Sequence, residues 1–80
     1  MGIYDETVKR IKELCGERGI TPNGLSYRSG VPQSTIKSIL NGESKNPGIV
    51  TIKMLCDGLD ISVTEFFDTA AFRSLEQELK

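Results

Sequence analysis

The chain has 80 residues, 38% of them hydrophobic and 26% charged, with a formal net charge of −1 and no histidine. That length allows one domain around one modest core and argues against a large catalytic cleft, while the composition is too apolar for a disordered chain. No apolar run approaches the ~20 residues needed to cross a bilayer, and the opening MGIYDETVKR lacks a signal peptide's hydrophobic segment, so a cytoplasmic protein is expected, with no membrane partner.

The first helix is signalled by Tyr4, Val8, Ile11, Leu14 and Cys15, whose spacing of three and four residues gathers them on one face. Asp5 with Lys9, and Glu6 with Arg10, offer i, i+4 ion pairs on its solvent side, and Gly19 is a natural stop. Thr21-Pro22 reads as an N-cap followed by proline in the first helical position. The second helix then runs from Pro22 to Ser29, ended by Gly30 and by Pro32 two residues later. A third spans Gln33 to Asn41, with Ile36, Ile39 and Leu40 inward and Ser34, Lys37 and Ser38 outward, before Asn41-Gly42 terminates it. Glu43 to Gly48 reads as a polar loop.

The fourth helix presents Ile49, Ile52, Leu55, Cys56 and Leu59 as its buried side and closes near Gly58 to Asp60. Ser62-Val63-Thr64-Glu65 has the form of a capping box and opens a brief fifth helix carrying Val63, Phe66 and Phe67. Residues 69–80 can form a sixth, using Phe72, Leu75 and Leu79. The expectation is an all-α fold of five or six helices, with residues 1–68 as the principal domain and 69–80 as a helical C-terminal extension.

Charge is distributed unevenly along these elements. It balances over residues 1–20, but from Thr21 to Lys53 four cations, Arg28, Lys37, Lys45 and Lys53, face Glu43 alone. From Met54 onward two cations face six carboxylates. The middle of the chain is therefore the part suited to a polyanion. Cys15 and Cys56 lack CxxC spacing and have no histidine to complete a zinc site or act as a base, so buried free thiols are expected. No metal and no cofactor is expected.

Two short helices joined by a glycine-containing turn, the second polar on its outer face, make a helix-turn-helix arrangement. Leu25, Val31 and Ile36 must meet to set its crossing angle. Further marks are the run Gln33-Ser34-Thr35-Ile36, then Asn41-Gly42, Pro47, Leu59-Asp60-Ile61-Ser62 and Phe66-Phe67. With these residues, the stretch from about Val8 to Phe67 resembles the phage-repressor and Cro-like helix-turn-helix family, also called the xenobiotic-response-element family.

The resemblance implies a lambda-repressor-like domain whose third helix enters the major groove of double-stranded DNA, commonly as a two-fold dimer on a palindromic operator. Carried over by position, it places Gln33, Ser34 and Thr35 at the groove, with Lys37 and Ser38 one turn further on. Gln33 is the best candidate for direct readout, because a glutamine amide both accepts from adenine N6 and donates to N7. Lys37 suits guanine or phosphate, although a solvated helix face also carries lysine. Asn41, Lys45 and Asn46 fall where related loops approach the DNA backbone, with Thr21 and Asn23 near the start of the second helix. Asn-Gly is equally a helix-ending signal, and Arg28 suits either a phosphate or plain solvent.

Several residues depart from the family pattern. Pro22 stands where many relatives carry a backbone-contacting glutamine, and Pro32 replaces a frequent capping Ser or Thr. Cys15 and Leu40 replace an Arg/Glu pair, and Gly48 replaces an arginine that some relatives offer to the minor groove. Ser26, at a position where the family prefers alanine, is expected to be buried.

The leading functional expectation is a sequence-specific, repressor-like transcriptional regulator acting as a homodimer. Its dimer surface is expected in the acidic, aromatic C-terminal part, around Phe66, Phe67, Phe72, Leu75 and Leu79; the alternative is that these residues complete the monomer core. A second reading is an antitoxin or adaptor of the same fold that binds a toxin or another protein. An enzyme is not expected, because no nucleophile motif and no phosphate loop is present.

Overall fold

The computed structural model describes residues 2–77. Helices α1 (Ile3–Arg18), α2 (Pro22–Ser29), α3 (Gln33–Leu40), α4 (Ile49–Leu59), α5 (Val63–Phe67) and α6 (Ala70–Arg73) follow one another, and no strand occurs among the described residues.

Local chemistry sets most of the helix ends. Gly19 and Gly30 close α1 and α2 at φ 63° and 78°, a left-handed conformation that strains any residue with a β-carbon. Thr21 caps α2, its hydroxyl oxygen accepting from the Gly24 amide at 3.1 Å, and Ser62 caps α5 by accepting from Glu65 at 3.0 Å. Pro32 stands at the head of α3 without a side-chain cap. That helix ends at Leu40, one residue earlier than its apolar pattern suggests, with Asn41 as its C-cap.

A single core draws on every long helix. Ile11 and Leu14 of α1, Leu25 of α2, Ile36 and Ile39 of α3, Leu55 and Leu59 of α4 and Phe66 of α5 are all essentially removed from solvent. At ~25 cal/mol per Å² such burial supplies the main favourable free energy of a domain this small. Phe67 and Phe72 pack edge-on, with ring centroids 4.9 Å apart, and Phe67 meets Phe66 in the same way at 4.8 Å. Phe66 is thus part of the monomer core, as the alternative reading expects, and Phe67 and Phe72 pack against it while remaining half-buried.

Helices α2 and α4 cross with their backbones in close approach. A β-carbon added at Gly58 would sit 2.7 Å from Ser29 Cβ and 2.9 Å from Ser29 backbone atoms. Gly58 is therefore a point of backbone contact inside α4, which continues to Leu59 and stops at Asp60 in the left-handed region, φ 61°. Two arginines complete that end. Arg18 Nε donates to the Leu59 carbonyl at 3.0 Å and Arg28 Nε to the Gly58 carbonyl at 2.9 Å. Arg10 serves α5 in the same way, donating to the carbonyls of Phe66 and Glu65 at 2.7 and 2.9 Å. These cations satisfy orphan carbonyls at the negative ends of helices.

Other expectations change where tertiary contacts override the local pattern. Ile49 is 80% exposed rather than buried, because it lies at the first position of α4, one turn before the helix enters the core at Ile52. Glu6 is buried and meets Lys9 at 3.9 Å, whereas Arg10 pairs with Glu13 as it reaches towards α5. Asp5 does not pair with Lys9; its carboxylate accepts from the Gly2 amide at 3.4 Å and caps α1. The sixth helix is one turn long, with Leu75 half-buried beyond its end, and Leu79 lies outside the described residues.

Candidate nucleic-acid interface

The turn between α2 and α3 is built to hold one crossing geometry. Val31 is buried in it, and both of its backbone polar groups are tied to α2. Its carbonyl accepts from the Ser26 hydroxyl at 2.6 Å and its amide donates to Ser29 Oγ at 3.2 Å. Ser26 is thus only half-buried and acts as a turn fastener. At the other end of α3, the Tyr4 hydroxyl of α1 donates to the Ile39 carbonyl. The helix is held at both ends by residues outside it.

With Ile36 and Ile39 anchored, the opposite face of α3 is directed to solvent. Gln33, Ser34 and Lys37 are exposed there, while Thr35 and Ser38 are half-buried along the borders of that face. The Gln33 side-chain amide donates to Asn23 Oδ1, so the first turns of α2 and α3 are bridged on the surface. Thr21 and Asn23 are exposed beside this bridge. Thr21 already uses its oxygen as a cap acceptor and keeps its hydroxyl hydrogen to donate.

Beyond α3 the loop is ordered by its own polar groups. Asn41 Nδ2 donates to Glu43 Oε1 at 2.9 Å, Asn41 Oδ1 accepts from the Glu43 amide at 3.2 Å, and the Ser44 amide donates to the Ser38 carbonyl at 2.9 Å. Gly42 takes φ 88° to make this turn. Lys45 and Asn46 follow, both exposed.

Arg28 is the candidate that stands apart. Its Nε is engaged at the C-terminus of α4 while the residue stays exposed, which gives it a structural role that its position in the sequence does not suggest. Lys53, the other cation of the basic segment outside α3 and its loop, pairs with Asp57. Lys37 and Lys45 have no carboxylate within ion-pair distance among the described residues. Within the segment from Thr21 to Lys53, the lysines open to a polyanion among the described residues are therefore these two, in a setting of neutral amides and hydroxyls.

Cys15 and Cys56 are free and buried. Burial pushes both thiols above their usual pKa, partly offset at Cys15 by the Arg18 charge, so neither is a thiolate at neutral pH.

Comparison with known proteins agrees with this geometry. The family model for Cro/C1-type helix-turn-helix DNA-binding domains matches residues 10–71, and the chain belongs to that family. It is similar to the crystal structure of prophage Lp1 protein 11, with 32% identity and a TM-score of 0.81, covering 94% of this chain and 100% of that one. It is also similar to the wild-type restriction-modification controller protein C.Esp1396I, with 26% identity and a TM-score of 0.74, over 80% of this chain and 82% of that one. No curated protein sequence matches. The protein is a DNA-binding transcriptional regulator with a Cro/C1-type helix-turn-helix. No described helix is long and apolar enough to cross a membrane.

Three contributors to this surface escape a reading of the sequence. Tyr4 looks only like an apolar-face residue, and Glu43 only like a loop charge. Gly58 reads as a helix stop, although a lone glycine within a helical pattern is itself a signal of close backbone approach.

Proposed function

We propose that the protein is a sequence-specific, repressor-like regulator that binds a palindromic operator as a homodimer and works in the cytoplasm with the DNA it controls. The observation that carries this reading is the outer face of α3, where Gln33, Ser34 and Lys37 are exposed on a helix anchored by Ile36 and Ile39. An α-helix fits the major groove, and these residues reach base edges when it lies there. Gln33 reads a base pair, Ser34 and Thr35 supply shorter polar contacts, and Lys37 meets guanine or phosphate. Ser38 lies further along the same helix.

Thr21, Asn23, Asn41, Lys45 and Asn46 serve register, through hydrogen bonds to the sugar-phosphate backbone on either side of α3. The first amides of α3 lack a side-chain cap because Pro32 heads the helix, and a phosphate oxygen suits them. The restriction-modification controller supports a regulatory rather than an architectural role. Selection of bound duplexes from random DNA at low salt tests the proposal. The expected product is an inverted repeat with half-site centres about 34–36 Å apart. A failure to enrich any sequence contradicts sequence-specific binding.

A further inference from the structure

The loop that leaves α3 carries Glu43, the one acidic residue between Thr21 and Lys53. It is exposed and has no cation within ion-pair distance among the described residues, so no neighbour neutralises its charge. Its partner is instead the Asn41 side chain. Asn41 Nδ2 donates to Glu43 Oε1 at 2.9 Å, and the Glu43 amide donates back to Asn41 Oδ1 at 3.2 Å. The second bond sets the orientation of the Asn41 amide, because with Oδ1 turned to a backbone N–H, Nδ2 is left to face the carboxylate. That backbone bond closes the turn with any residue but proline at position 43, and Gly42 and the Ser44–Ser38 bond hold it from either side. The turn therefore does not require a carboxylate.

We infer that Glu43 opposes DNA binding, as an internal stand-in for phosphate that occupies Asn41 Nδ2 in the free protein. The inference rests on the reading that Asn41 and Lys45 meet the sugar-phosphate backbone. A carboxylate and a phosphate offer an amide the same thing, an ionised oxygen acceptor. A phosphate that approaches Asn41 has two ways to bond it. If it takes the N–H that Glu43 holds, one charge-assisted bond replaces another and the contact adds little. If it takes the second N–H, two anions share one amide group and repel each other. Both lower the affinity. Lys45, two residues further on, attracts phosphate from a loop that also carries this fixed negative charge.

The effect does not depend on sequence, because phosphate contacts carry no base information. Attraction to phosphate supplies essentially all of the affinity for arbitrary duplexes. Glu43 loosens that hold, and the base contacts of α3 then decide where the protein stays.

The test compares the whole natural chain with Glu43→Gln, which removes the charge but keeps an acceptor for Asn41, and with Glu43→Ala, which removes both. Fluorescence anisotropy measures affinity for a mixed-sequence duplex and for a selected operator, and thermal melting checks that each chain folds. Glu43→Gln is expected to tighten binding to both duplexes by about three- to fivefold at low salt, the scale of one like-charge pair at close range in water. The gain should shrink as salt rises. Glu43→Ala is expected to tighten binding further, and the difference between the two variants should disappear in an Asn41→Ala background, where no amide is left to compete for. Unchanged or weaker binding by both variants overturns the inference. So does a gain confined to particular base pairs, which would make Glu43 a reader of bases. If the natural chain binds DNA and the variants bind no better, DNA binding stands and this inference alone fails; if no chain binds either duplex at low salt, the reading beneath it fails as well.

Discussion

Gln33, the first residue of α3, donates its side-chain amide to Asn23 Oδ1 in the first turn of α2. One N–H of Gln33 is committed by this bond, which leaves its carbonyl as an acceptor and its second N–H as a donor. An adenine edge needs that combination. Asn23 thereby limits how the Gln33 side chain turns before DNA arrives, and less entropy is lost on binding. Asn23→Ala is expected to weaken operator binding by about fivefold, the value of one neutral hydrogen bond, and to blur preference at the base that Gln33 reads. Competition assays with single-base operator variants measure both effects. A uniform loss across all variants would assign Asn23 to the phosphate backbone alone.

Three of the four arginines, Arg10, Arg18 and Arg28, donate to carbonyls at helix ends and Arg73 pairs with Asp68, which predicts a shallow salt dependence. With Lys37 and Lys45 as the open cations, the slope of log affinity against log salt should be about −2 per bound copy, or roughly −4 for a dimer. Lys37→Ala is expected to reduce the slope by about 1 per copy. Arg28→Ala should leave the slope unchanged and cost about 0.5–1 kcal/mol of stability instead, through the exposed end of α4. Titrations at several salt concentrations, with urea denaturation of the same variants, separate the two roles.

Two glycines should respond in opposite directions to the same change. Gly16 lies inside α1 with open space where a β-carbon would go, so Gly16→Ala is expected to stabilise the domain by about 0.5–1 kcal/mol. Gly58→Ala drives a methyl group into Ser29, whose backbone cannot swing aside like a side-chain tip, and is expected to cost about 1–3 kcal/mol. Urea midpoints at constant m-value report both.

That contrast also marks how far the sequence could be read. The caps Thr21, Gly19, Gly30 and Ser62, the inward Ile36 and Ile39 and the outward Gln33 to Lys37 are legible because each depends on neighbours within a turn or two. The partners of Arg28 and Tyr4 are not, since they lie 30 and 35 residues away and only the folded core brings them near. Helical periodicity put Ile49 on the buried face but did not reveal that α4 enters the core only one turn later, at Ile52. The aromatic tail raised the same difficulty in reverse, because counting apolar residues does not show that Phe66, Phe67 and Phe72 satisfy one another.

The buried thiols give stability a defined dependence at alkaline pH. Burial raises both above the usual 9.0, so the folded state holds these protons more tightly than the unfolded chain. Their contribution is fully present below about pH 9 and is lost as pH rises through the folded values, because the unfolded thiols ionise first. Urea midpoints should therefore fall above about pH 9, less steeply when both cysteines are replaced by alanine. A slope identical in the double variant would assign the alkaline loss to other groups.

The central claim is that α3 reads DNA through Gln33, and the most direct measurement repeats selection from random duplexes with Gln33→Ala. Sites are expected still to be enriched, but one base in each half-site should lose its preference, with discrimination there falling by about 1–3 kcal/mol. An unchanged preference at every position would contradict the claim.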